Sequence, residues 1–216
     1  MTPAQPFQRA RKPEEIILRR EQLLAAAAEL FDAEGPQGTG LNAIAAKAGF
    51  TKSNVYRYFE SREQVLLELF RDGFAALVED MVAALSDTPI GNVAALAETI
   101  TATFLARPRC CALIAILSST LEQNVSETTI AGVKTFMSEQ NARLVAALAS
   151  RLPAAAPADC AWAIAMTGSL LAGMWPSANP PPAALAVLSR PDFAHLRMDV
   201  ARDLRRAAIA LLTSIV

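Results

Sequence analysis

The chain has 216 residues, a formal net charge of −1, 53% hydrophobic residues and 19% charged ones. A chain this long and apolar buries a sizeable core and is not disordered. Three cysteines cannot build a disulfide framework, and no secretory signal precedes the first predicted helix, so a reducing cytoplasm is expected. The overall balance lacks the basic excess that usually marks nucleic-acid binding, so charge has to be read locally.

Between the thirteen prolines the chain is rich in Ala, Leu and Glu, and apolar residues recur at steps of three and four rather than two. The sequence therefore predicts an all-α fold of about nine helices. They are placed at 14–34, 41–48, 52–58, 62–85, 92–106, 109–122, 126–152, 158–175 and 198–215, with a short helical turn near 183–189. Apolar stripes mark several of them: Ile17, Leu24, Ala28 and Phe31 in the first, then Leu66, Phe70, Gly73, Leu77 and Met81 in the fourth. Ile130, Val133, Met137 and Leu144 form another, and Val200, Leu204, Ala208, Leu211 and Ile215 the last. Thr51 and Ser61 are expected to cap the helices they precede, and Asn124 with Glu127 has the spacing of a capping box. Residues 160–189 carry no charge. The apolar run from Cys160 to Trp175 is nonetheless shorter than the ~20 residues a membrane helix needs, and Pro176 follows it, so a buried helix is expected rather than a span. Three short helices form a module, and a long helix joins it to a larger helical body. The boundary is placed at 1–60 and 61–216.

Residues 41–59 read as helix, turn, helix. Gly49 can take a positive φ and end the first helix sharply. Ile44, Ala45, Val55 and Phe59 face inward, and alanines at 45, 46 and 48 allow close packing. A short second helix presented N-terminus first suits the major groove of double-stranded DNA. Thr51, Lys52, Ser53 and Asn54 lie at its start, within reach of base edges or phosphates. Tyr56 and Tyr58 offer hydroxyls, and Lys47, Arg57 and Arg62 offer charge. Residues 47–62 hold four cations and one acid, a local +3, and an arm with Arg9, Arg11 and Lys12 adds another +3. Such an arm can reach a neighbouring groove.

This segment resembles the N-terminal domain of TetR-family transcriptional regulators. The motif stands as Ala27-Ala28-Glu29-Leu30-Phe31, Gly35, Thr39, Ile44-Ala45, Ala48-Gly49, Thr51, Tyr56-Arg57-Tyr58-Phe59 and Ser61-Arg62-Glu63. It covers about the first third of the chain. The resemblance implies a sequence-specific DNA-binding regulator, most simply a repressor. It implies that Thr51, Ser53 and Asn54 read bases or flanking phosphates, and that Tyr56, Tyr58 and Arg62 hold the backbone. Thr39, Lys47 and Lys52 complete the candidate DNA contacts. Gly40 stands where the family usually has a Ser or Thr cap, Arg62 replaces the usual Lys, and Ser53-Asn54 replaces a common Gly-Thr.

The resemblance further implies a homodimer and a small-molecule effector held in the body. The helix at 158–175 is apolar nearly all round and that at 198–215 has a wide apolar face, which supports dimerisation through the two. Leu170, Leu204, Ala208 and Leu211 are the candidate interface. Phe104, Cys110, Leu113, Leu117, Phe136, Met137, Trp162, Met166 and Trp175 are the candidate lining of a pocket for a lipophilic effector, although each also reads as plain core. Glu122, Gln123 and Asn124 end an apolar helix with polar groups. No cofactor, metal site or catalytic constellation is expected: His195 is a lone histidine beside a turn, and Cys110 and Cys111 diverge by about 100° on a helix. With Cys160 they read as small buried hydrophobes. The alternative is a helical protein that sequesters a lipophilic molecule without binding DNA.

Overall fold

The computed structural model describes residues 13–216. The basic arm with Arg9, Arg11 and Lys12 lies outside them. Among the described residues the chain is helical with no strand, and ten α-helices follow one another, one more than the periodicity suggested. The chain divides into two compact units, Met1–Val65 and Leu66–Val216.

The first unit holds α1 (Pro13–Gly38), α2 (Leu41–Lys47), α3 (Lys52–Val55) and the first turn of α4 (Arg62–Asp87). Two acids, Glu14 and Glu15, sit in the first turn of α1, where they suit the helix dipole. The helix breaks at Gly35, whose φ of 68° is open to glycine and costly for other residues, so its regular part agrees with the expected 14–34. Its buried side differs from the expected stripe. Leu23, Ala27 and Phe31 are buried, whereas Ile17 is 58% exposed and Leu24 and Ala28 are half-buried. The run from Leu23 to Ala28 is apolar on every side, so composition could not choose the face. α2 packs on α1 and α3 on α2, enclosing Ile44, Ala45, Val55 and Phe59. Each large side chain buried in this way contributes about 1.5–3 kcal/mol.

The second unit takes the rest of α4 with α5 (Val93–Leu105), α6 (Pro108–Ile116), α7 (Glu127–Arg151), α8 (Pro157–Ala178), α9 (Pro182–Leu188) and α10 (Val200–Thr213). Leu66, Phe70, Leu77 and Met81 of α4 are buried as expected, and Gly73 faces Cys110 of α6 with room for an ordinary contact. α8 is the hub, packing on α6, α7 and α10, while α10 packs also on α5. Phe70 stacks on Phe74, which meets Phe136 edge-on at 6.3 Å. The segment expected as one helix at 109–122 changes pitch, with a π turn over Leu117–Leu121. Pro176 does not end α8. The helix runs on to Ala178, because a proline in a last turn forfeits one hydrogen bond and bends the chain without stopping it.

Capping was partly foreseen. Ser61 Oγ accepts from the Gln64 N–H at 3.1 Å, and Gln64 Oε1 reaches back to the Glu60 N–H at 2.8 Å, a capping box displaced by one residue. α7 is capped by Ser126, which accepts from the Thr129 N–H, and not by Asn124. Asn92 caps α5 and Asp199 caps α10.

Candidate nucleic-acid interface

The helix-turn-helix is held by its buried side. Gly49, with φ 71°, turns the chain after α2, and the Phe50 N–H donates back to the Ala45 carbonyl at 2.8 Å. α3 is shorter than the expected 52–58. It is regular only to Val55, after which the Arg57 and Tyr58 N–H groups reach Asn54 and Val55 carbonyls three residues back. This tightening lets Val55 and Phe59 share the core at 0% and 1% exposure.

The opposite side is open. Thr51, Lys52, Ser53, Tyr56 and Arg57 are exposed, and Asn54 and Tyr58 are half-buried. Thr51 occupies the N-cap position, but its hydroxyl makes no cap hydrogen bond. Its carbonyl takes the Asn54 N–H at 2.9 Å. The Lys52 ammonium lies 5.7 Å from the centre of the Tyr56 ring, which holds cation and phenol on one edge. Seven of the nine predicted contacts therefore crowd one short stretch, residues 51–62.

Charge is distributed differently from the sequence count. Lys47 pairs with Glu29 at 2.8 Å, and that hydrogen bond, with the carboxylate's charge, raises the lysine pKa above its usual value. The Arg62 guanidinium pairs with Glu63 at 2.8 Å and 3.1 Å. Lys52 and exposed Arg57 make no ion pair with the described residues. Two of the four cations behind the local +3 thus carry an acid partner, one of them 18 positions away in sequence and beyond the window counted. Thr39 is a correction. It is fully buried, and its hydroxyl donates to the Gly35 carbonyl at 2.9 Å. The motif threonine closes the turn after α1 and does not face solvent.

In the body, Met81, Leu85, Ile100, Phe104, Leu144, Leu148, Ala163, Ile164, Thr167 and Leu212 surround a cavity of about 20 Å³. That is room for roughly one water. The only hydroxyl of the lining, Thr167, already donates to the Ala163 carbonyl at 2.8 Å, so water would find too few partners there. Of the expected lining, only Phe104 borders this cavity. Trp175 lines a separate open cleft of about 580 Å³ with Arg197, Met198 and Asp199. Cys110, Leu113 and Leu117 are buried, Phe136, Met137 and Met166 are half-buried, and Trp162 is 46% exposed. Sequence periodicity identifies apolar faces but not which of them converge. Thr167 was the one available signal, a polar residue inside an apolar run. Glu122 pairs with Lys134 at 2.5 Å and is not part of that lining.

The expected interface also divides. Leu204 and Ala208 are fully buried within the chain, on the helix that packs against α5 and α8. Leu170 is 37% exposed and Leu211 half-buried. α8 is not buried on all sides: Trp162, Ala165, Ser169 and Gly173 form an exposed, uncharged stripe. Burial pushes the Cys110 and Cys111 thiols up to about 12. Among the described residues no group of His, Cys, Asp or Glu could hold a metal, and no single helix is long and apolar enough to cross a membrane.

A helix-turn-helix with an open, partly cationic edge, followed by a helical body, defines a DNA-binding transcriptional regulator. The family model for bacterial regulatory proteins of the TetR family matches residues 23–69, and that for the tetracyclin-repressor-like C-terminal domain matches 71–214. The chain belongs to the TetR family of transcriptional regulators. It is 37% identical over 60 residues to the transcriptional repressor KstR2 of Mycolicibacterium smegmatis, covering 28% of this chain and 29% of that protein. It is 42% identical over 53 residues to the uncharacterized regulator YdgC of Bacillus subtilis, covering 24% and 27%. The chain thus spans less than a third of either curated relative. Whole-chain likeness is to solved folds. The fatty acid degradation regulator FadR from Bacillus halodurans matches with a TM-score of 0.57 at 14% identity, covering 94% of this chain and 97% of that one. A SmeT–triclosan complex matches at 0.56 and 21%, covering 91% of each.

Proposed function

We propose that the protein is a cytoplasmic, homodimeric repressor that binds a near-palindromic operator and leaves it when a small lipophilic effector enters the body. It acts by binding and not by catalysis. The observation that carries the reading is the edge of α3: Thr51, Lys52, Ser53, Tyr56 and Arg57 point outward from a fully buried Val55 and Phe59. That edge has hydroxyls for base edges and phosphates, and two cations, Lys52 and Arg57, that make no ion pair among the described residues and are available to the DNA backbone.

Dimerisation is supported by the outward stripe of α8 together with the half-buried Ala207, Leu211 and Ile215 of α10. These positions are small or apolar, while Arg202, Arg205 and Arg206 turn to another side of α10. Two-fold symmetry of the dimer implies a near-palindromic operator with one half-site for each head. The effector site is supported by the apolar cavity. At about 20 Å³ it is closed to any organic molecule, so an effector must displace side chains to enter. Met81 and Leu85 of its lining belong to α4, the helix whose first turn lies in the head. A molecule that prefers the opened body would bias that helix, and only to the extent of this preference would it release DNA.

The test is selection of bound sequences from random DNA, followed by affinity measurement against salt. A TetR-like repressor gives a two-fold symmetric site and binding that weakens as salt rises. Absence of salt-dependent binding to any selected sequence, or unchanged binding after Tyr56→Phe with Lys52→Ala, would sink the reading. A compound screen for release from the selected site then identifies the effector.

A further inference from the structure

Among the described residues one charged side chain is buried: Glu63, in the first turn of α4, at 8% exposure. A carboxylate taken out of water needs a partner, and here the partner is the residue before it. The Arg62 guanidinium donates to Glu63 Oε1 twice, from Nε at 3.1 Å and from Nη2 at 2.8 Å. The pair is lopsided. The Glu63 side chain is 10% exposed and the Arg62 side chain 28%. The acid is enclosed, and the guanidinium is what the pair shows to solvent.

Only one edge of that guanidinium is used. Of its five N–H donors two point at Glu63, which leaves the two on Nη1 and one on Nη2. This second edge is a fork that can take two oxygens of a phosphate. A lysine at the same position would have a single nitrogen for both partners, so the arrangement depends on the arginine that this chain carries. The backbone beneath is fixed as well, because the capping box of Ser61 and Gln64 spans residues 60–64. What stays free in an arginine without a partner is its long side chain, and immobilising such a chain weakens binding. Glu63 removes that loss in advance by ordering Arg62 in the folded chain. The acid also lowers the local positive charge, which works against attraction at long range. At contact distance the direction of the remaining donors decides, and there Glu63 helps.

We propose that Glu63 is a positioning residue for operator binding: it holds one edge of the Arg62 guanidinium so that the other edge faces a DNA phosphate. The proposal rests on the operator-binding reading above. The test is a double-mutant cycle on the selected operator. Glu63→Met, which keeps the length and removes the charged acceptor, is made once beside Arg62 and once beside Arg62→Ala. Affinity is read by fluorescence anisotropy at fixed salt. Beside Arg62 the change should weaken binding about three- to tenfold for each head, and beside Arg62→Ala it should alter affinity by less than about twofold. Arg62→Ala strands a buried carboxylate, so Arg62→Gln is the second background should circular dichroism show that the first does not fold. An equal loss in both backgrounds overturns the proposal, since Glu63 then only supports α4 through the helix dipole. Unchanged or tighter binding beside Arg62 overturns it too, since the acid then only neutralises the cation. If the unmodified chain binds no selected sequence, the operator reading and the proposal fail together; if it binds and the cycle shows no coupling, only the proposal fails.

Discussion

Thr39 is a threonine that the family motif places among candidate DNA contacts and that the fold buries completely. Replacing it with valine keeps the shape and removes one hydroxyl. The lost group is a single donor, 2.9 Å from the carbonyl of half-buried Gly35. A net hydrogen bond of this kind is worth about 0.5–1.5 kcal/mol, and water can reach the half-buried Gly35 carbonyl once its partner is gone. The expected loss is therefore about 1 kcal/mol in the stability of the head. Urea unfolding followed by circular dichroism measures the loss. Fluorescence anisotropy with the selected operator, well below the unfolding midpoint, measures DNA affinity. A structural threonine gives a lower midpoint and an affinity within about twofold. An unchanged midpoint with affinity reduced tenfold would refute the reasoning and return Thr39 to the contact surface.

Gly49→Ala should destabilise the head by about 1–2 kcal/mol, through backbone strain alone, since a methyl there meets nothing within 4 Å; thermal unfolding checks it. Lys52→Gln should flatten the salt dependence of operator binding by about 0.9 in each head of a dimer, whereas Lys47→Gln with Glu29→Gln, which removes an ion pair without changing net charge, should leave the slope unchanged. Cys110 and Cys111 have pKa values raised from 9.0 to about 12 by burial. The folded state therefore keeps protons that the unfolded state releases, and the thiols' contribution to stability should be present below pH 9 and fall between pH 9 and about 12, by at most about 1.4 kcal/mol per pH unit for each thiol. Urea midpoints at pH 7, 9 and 10.5 check the sign, and both thiols should resist alkylation at pH 8 until the chain unfolds. Leu148→Ala, at a fully buried residue lining the small cavity, should cost about 2–5 kcal/mol and part of that should return on adding benzene, read as a shift in melting temperature.

Local chemistry settled much of this protein before any packing was known. The period of three and four, the glycine at 49 and the inward set of Ile44, Ala45, Val55 and Phe59 were enough for an all-α chain with a helix-turn-helix, because each depends on neighbours a few residues away. Thr51, Lys52 and Tyr56 lie on the outward edge for the same reason. The places where reading failed all depend on partners distant in sequence. The α1 stripe slipped because Leu23 to Ala28 is apolar all round and only α2 selects the face. The family motif made Thr39 a candidate contact, and the fold buries it against the Gly35 carbonyl. Lys47 counted as a free cation until α1 brought Glu29 to it. Leu204 and Ala208 showed an apolar stripe correctly, but a stripe has the same period whether it faces α5 and α8 of its own chain or a second copy. Near-neutral net charge excluded nothing, since attraction to DNA depends on which cations stand unpaired at one edge. Sequence determines the periodicity of a face; only the tertiary structure decides what that face meets.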